Sequence, residues 1–191
     1  MSSYVEKFQA GKFYHVYNRA VGAEKLFFKA PNYGYFLSLY QKRLGPLVDT
    51  FSYCLLPNHF HLLIKIKDEF ENAESVVIEM LRRFFIAYAQ AINVQEKRKG
   101  SLFMRPLKRK LIESDPYLTR IITYIHQNPS HHGLVEDFQN YKWSSYRAMI
   151  NQSPTLLKRN EILEWFGGKE AFIQAHTKDV RHNDMAKYII E

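Results

Sequence analysis

The chain alternates between two hydrophobic periods, two residues and between three and four, and the switches mark its elements. Lys12 to Ala20, KFYHVYNRA, is dense in aromatic and β-branched residues and predicts a first strand. Asn32 to Leu44 sets Tyr35, Phe36, Leu39, Tyr40 and Leu44 at helical spacing, and Gly45-Pro46 stops that helix. Leu47 to Leu56 and His59 to Lys67 read as two strands joined by a tight Pro57-Asn58 turn, hence a hairpin. Glu69 to Val94 carries a long apolar stripe through Val77, Leu81, Phe84 and Tyr88 and predicts a second helix. Leu102 to Ile112 is a strand with a proline in it, which suits a sheet edge or a bulge. Asp115-Pro116 opens a third helix, with Asp as cap, expected to end near Asn128 because Pro129 follows. Beyond an irregular stretch, briefly helical before Ile150, and a polar break at Asn151 to Pro154, residues Glu161 to Thr177 predict a C-terminal helical extension.

The order β, α, β, β, α, β, α gives an α+β class: a ferredoxin-like antiparallel sheet with its helices on one face, plus the C-terminal helices. We read residues 1–150 as one domain and 151–191 as the extension.

One strand is chemically unusual. In SYCLLPNHFHLLIKI the strand after the turn opens on His59 and His61. Residues two apart share a face, so both imidazoles project together and can chelate one divalent metal. A His-x-His pair also arises by chance, so further groups have to join it. The third helix supplies them in TYIHQNP, where Tyr124 shares a face with Gln127 and Asn128. A tyrosine hydroxyl is a covalent nucleophile once deprotonated, and a bound metal would polarise a phosphate beside it.

Charge adds a partner. The net charge is +8, with 13 Tyr and 14 Phe among 191 residues. Cations that meet phosphates and rings that stack on bases point to nucleic acid. Candidate DNA contacts are Asn18 and Arg19 at the end of the first strand and Lys97, Arg98 and Lys99 in a basic loop. Arg105, Lys108, Arg109 and Lys110 complete the set, with strand alternation placing Lys108 and Lys110 opposite Arg109. Arg82 and Arg83 read as a solvent face, Trp143 as a packing anchor, and His126 as structural. His15 suits either the border of the site or the core, and His131 and His132 read as solvated loop residues. Cys54 is the only cysteine, which excludes an internal disulfide and a Cys-based zinc site. The opening residues MSSYVEKFQAGKFYHV hold no signal-type apolar run, and no stretch is long enough to span a bilayer, so a cytoplasmic protein is expected.

The segments FYHVYNRAVG, YCLLPNHFHLLI and YLTRIITYIHQNPSHHGLVEDFQNYKWSSYRA, in this order, resemble the single-tyrosine HUH transposases, and within them the REP-associated tyrosine transposase branch. The similarity runs from about Lys12 to Ile150. The resemblance implies cleavage and rejoining of single-stranded, hairpin-forming DNA through a 5′-phosphotyrosine link. It maps the nucleophile to Tyr124, and a Mg²⁺ or Mn²⁺ site to His59, His61 and either Asn128 or Gln127. It leaves open a monomer or a homodimer. The rival readings are a catalytically silent nucleic-acid-binding protein of the same fold and a phosphoesterase that uses water.

Overall fold

In the computed structural model, residues 6–70, 72–113, 115–178 and 180 are described. Four strands form one antiparallel sheet: β1 (Phe13–Arg19), β2 (Val48–Leu56), β3 (His59–Ile66) and β4 (Lys108–Ile112), in the order β2-β3-β1-β4. Helix α1 (Ala30–Leu44) links β1 to β2, and α2 (Ala73–Gln95) links β3 to β4. This is the expected ferredoxin-like arrangement. The Pro57-Asn58 turn is tied down by main-chain bonds: Pro57 O accepts from the amides of Leu26 and Phe27, and Asn58 O accepts from Ala20 N at 2.8 Å. The entry of β3 is therefore locked against the exit of β1.

Alternation divides the sheet into two faces. Tyr14, Val16, Phe60, Leu62, Ile64 and Ile66 join the core beneath α1 and α2. Phe13, Phe51 and Leu63 join a second core with α3 (Asp115–His131). The expectation of all helices on one face thus holds for α1 and α2 only. β2 is apolar or small on both faces, so both need a cover, and α3 supplies the second one. Three further helices, α4 (Tyr146–Ile150), α5 (Arg159–Phe166) and α6 (Lys169–Ala175), pack into this second core through Tyr146, Ile162 and Phe172. The C-terminal helical extension expected from the sequence is divided at Gly167 and Gly168, whose φ values of 84° and 112° are open to glycine and strained for other residues. The remainder of the extension, residues 181–191, lies outside the described residues.

Two boundaries move. Regular pairing in the last strand begins only at Lys108, because Pro106 lacks the N–H that a ladder needs. As an edge strand, β4 pairs with β1 alone. Helix α3 runs through Pro129 to His131 rather than ending at Asn128. A proline one turn from a helix end removes a single bond, and the end is closed by Gly133 N to Ser130 O at 3.0 Å and Leu134 N to Pro129 O at 2.9 Å. Gly133, at φ 64°, provides the left-handed residue that this closure requires. The capping side chain expected of Asp115 lies outside the described residues. Among the described residues no helix is long and apolar enough to cross a membrane.

Candidate nucleophile and metal site

His59 and His61 project from the start of β3 onto the α3 face, their rings edge-on with centroids 5.2 Å apart. Each has one ring nitrogen engaged. Nδ1 of His59 lies 2.7 Å from Asn58 Oδ1. An amide oxygen only accepts, so that nitrogen carries the proton and Nε2 keeps its lone pair. Nε2 of His59 is buried without a hydrogen-bond partner. Burial pushes the His59 pKa down to about 3, helped by the nearby His132 and Arg19 charges and opposed by the Asn128 amide. At neutral pH the ring is uncharged, the form that binds metal. His61 is 1% exposed, and its Nδ1 lies 2.9 Å from Nε2 of His15.

Helix α3 brings Tyr124 to this pair. Its ring stands edge-on to His61 at 5.9 Å. One turn later Asn128, fully buried, donates from Nδ2 to the Tyr124 carbonyl at 2.8 Å. Its Oδ1 is buried with no hydrogen-bond partner, beside His59. Gln127 turns elsewhere. Its Nε2 donates to the carbonyls of His176 and Lys178, and its Oε1 accepts from Val180 N at 3.0 Å. Of the two amides, only that of Asn128 has an oxygen available to a cation beside the histidines. Two imidazoles and an amide oxygen match the ligand types that Mn²⁺ accepts, and the amide oxygen suits Mg²⁺ as well. Among the described residues no group of three His, Cys, Asp or Glu side chains is arranged to hold a metal ion, so a site here depends on the amide.

His132 lies exposed in the turn after α3, as expected of a solvated loop residue, but its ring also meets the edge of His59 at 4.6 Å and lines the cleft over the histidines, a contact the sequence reading did not foresee. His131 is the last residue of α3, its ring 6.0 Å from that of Tyr124. The signal was the four-residue spacing of Tyr124, Asn128 and His132, which the turn after α3 continues through the bond from His132 N to Asn128 O at 3.0 Å. His15 stands at the site rather than in the core, stacked between Tyr17 and His61. His126 is structural as expected, buried on the other side of α3 with bonds to His176 and Ser145.

The cleft has a volume of about 290 Å³, and its rim carries Arg19, Arg105 and Lys108. None of the described residues lining it is acidic. Asn18 lines it too, but its amide bridges Arg19 N and the Met104 carbonyl and so shapes the wall. The other candidate DNA contacts divide. Lys97 and Lys99 are exposed in the loop after α2, away from this cleft. Arg98 is held by Glu24 and Asn93. Lys110 shares the face of Lys108 and pairs with Glu6 at 2.5 Å. Arg109 lies on the opposite face, 5% exposed, paired with Glu74 at 2.7 Å and stacked over Phe8. Its surroundings are those of a structural ion pair rather than a phosphate contact.

No family model matches the chain. A Haemophilus influenzae protein assigned as a REP-associated tyrosine transposase is 27% identical over 107 residues, 53% of this chain and 61% of the relative. The match thus spans less than two thirds of the relative's length. A solved structure of a REP-associated tyrosine transposase bound to a REP hairpin has the same fold, with a TM-score of 0.64 at 14% identity, over 81% of this chain and 89% of that one.

Proposed function

We propose that this chain, a relative of the REP-associated tyrosine transposases, cleaves and rejoins single-stranded DNA with Tyr124 as nucleophile. The observation that carries the reading is the packing of Tyr124 against His61, with Asn128 one turn further along the helix and beside His59. The approach of Tyr124 to the histidines within one chain supports cleavage by a single subunit. Residues 1–150 carry these groups, and the extension braces α3 from behind.

The step is a transesterification. Tyr124 Oη loses its proton to solvent and bonds to a DNA phosphorus. The bond from phosphorus to the 3′ oxygen breaks, and that oxygen takes a proton from water and leaves as a 3′-hydroxyl. The product is a 5′-phosphotyrosine link, and attack by a 3′-hydroxyl reverses it. One phosphodiester replaces another, so no energy-rich cofactor is consumed. His59, His61 and Asn128 would hold Mn²⁺ or Mg²⁺, which when bound polarises the phosphate and stabilises the charge growing on its oxygens. Neutral His59 keeps its lone pair for that purpose. Arg19, Arg105 and Lys108 hold the DNA backbone over the cleft. The hairpin on the solved structural neighbour makes hairpin-forming DNA the substrate to test.

The test is a covalent-adduct assay on labelled single-stranded hairpin oligonucleotides with Mn²⁺, run on a denaturing gel. The wild type is expected to give a protein–DNA band that requires metal and disappears with Tyr124→Phe. Metal-dependent cleavage that survives this substitution would make the protein a water-using phosphoesterase. Binding without cleavage would make it a silent binding module.

A further inference from the structure

The two histidines of β3 differ in what fixes their protons. For His59 the fixing group is the Asn58 amide oxygen, which can only accept. For His61 it is another imidazole. Strand register explains the meeting: Tyr17 pairs with His61 and His15 with Leu63, so His15 and His61 are diagonal neighbours on one face. Their rings are nearly parallel, 12° apart with centroids at 5.1 Å, and Nε2 of His15 lies 2.9 Å from Nδ1 of His61. Both residues are buried, and Tyr17 stacks on His15 at 4.7 Å, which restrains the imidazole.

Between two neutral imidazoles only one nitrogen of such a contact donates. If His15 donates, His61 carries its own proton on Nε2 and cannot ligate a cation there. If His61 donates, its Nε2 holds a lone pair. We infer that His15 is a positioning residue that accepts the Nδ1 proton of His61 and so presents Nε2 of His61 to a divalent cation. This rests on the reading of His61 as a metal-holding residue. His15 and Asn58 then play the same part for the two histidines, one acceptor behind each ring, as outer partners do for metal-bound histidines generally.

The experiment uses the full-length protein and Mn²⁺. Long-range ¹H–¹⁵N NMR of the metal-free wild type reads which nitrogen of His61 is protonated, and calorimetric titration reads Mn²⁺ affinity. His15→Phe keeps the stacked ring and removes the acceptor, while His15→Gln restores an acceptor at about the same reach. The expected results are His61 protonated on Nδ1 in the wild type, Mn²⁺ affinity about 10- to 100-fold weaker in His15→Phe, and partial recovery in His15→Gln. A wild-type His61 protonated on Nε2, or a Mn²⁺ affinity unchanged in His15→Phe, would overturn the assignment. If the wild type binds no Mn²⁺, the metal reading itself fails, and the NMR result still decides the direction of the His15–His61 bond. The NMR measurement needs no variant, so poor folding of His15→Phe leaves it intact.

Discussion

Asn128 Nδ2 donates to the carbonyl oxygen of Tyr124, one helical turn back, at 2.8 Å. With its nitrogen tethered to the helix, the amide faces its oxygen outward, and that buried oxygen has no hydrogen-bond partner. The oxygen of Gln127, by contrast, is already engaged by Val180 N. Asn128→Ala is expected to weaken Mn²⁺ binding by at least about 10-fold and to cost only about 1 kcal/mol of stability. Calorimetric titration and a denaturant melt of the same sample check both numbers. Unchanged Mn²⁺ affinity would remove Asn128 from the site.

Gln127 gives the opposite pattern. Its amide holds the main chain at His176, Lys178 and Val180 through three bonds. Gln127→Ala should leave Mn²⁺ affinity as it is and lower stability by about 1–3 kcal/mol, since buried main-chain groups lose their partner. Amide exchange at Val180, slow in the wild type, should speed up in the variant. Val180 exchange equal to that of the wild type would show that the anchor lies elsewhere.

The basic residues separate by face. Lys108 is placed over the Tyr17 ring at the cleft, and Arg105 stands on its rim. Replacing either by Ala is expected to weaken binding of single-stranded DNA and to flatten the salt dependence by roughly 0.7 in log–log slope, the share of one phosphate contact. Arg109→Ala should leave that slope alone and destabilise the fold by about 2 kcal/mol, because its guanidinium links Glu74 and the Glu6 carbonyl across the other face. DNA titrations at several salt concentrations, with melts of each variant, distinguish the two outcomes.

The histidine pair and its hairpin were legible because a period of two and a Pro-Asn turn are local signals. The split between Lys108 and Arg109 was legible for the same reason. What lay beyond reach was fixed by register and by distant partners. His15 meets His61 across 46 positions, and only the pairing of β1 with β3 makes them diagonal neighbours. Glu74 neutralises Arg109 from 35 positions away, which a basic run read alone cannot reveal. The expectation of helices on one face alone passed over the run from Val48 to Leu56, which is mainly apolar on both sides and needs two covers. Pro129 misled on the end of α3, since the rule that proline ends helices is weakest in the last turn, where one lost bond is tolerated.

A pH dependence follows from the polar chain behind α3. The Phe172 carbonyl can only accept, so Nδ1 of His176 donates to it at 2.8 Å. Nε2 of His176 then accepts from Nδ1 of His126 at 2.9 Å, and Nε2 of His126 accepts from the Ser145 hydroxyl at 2.8 Å. Every group is satisfied with both rings neutral, and an added proton finds no acceptor. Burial among Phe172, Tyr146 and Phe166 pushes the His176 pKa from 6.5 down to about 4. His126 is displaced in the same direction by burial and by His176. A depressed histidine pKa means that below pH 6.5 the unfolded chain takes up a proton that the folded chain refuses until about pH 4. Stability is therefore full above that window and falls as pH drops through it, by roughly 3 kcal/mol for His176 alone. His59 adds a decline of the same sign, so the wild-type curve is a sum. The variant isolates the share of His176. His176→Gln should be less stable than the wild type at pH 7.5, with a gap that narrows toward pH 4.5. Denaturant midpoints across this range, in chelator to exclude metal, check it. A gap that stays constant with pH would show that His176 is protonated in the folded protein as readily as in the unfolded chain.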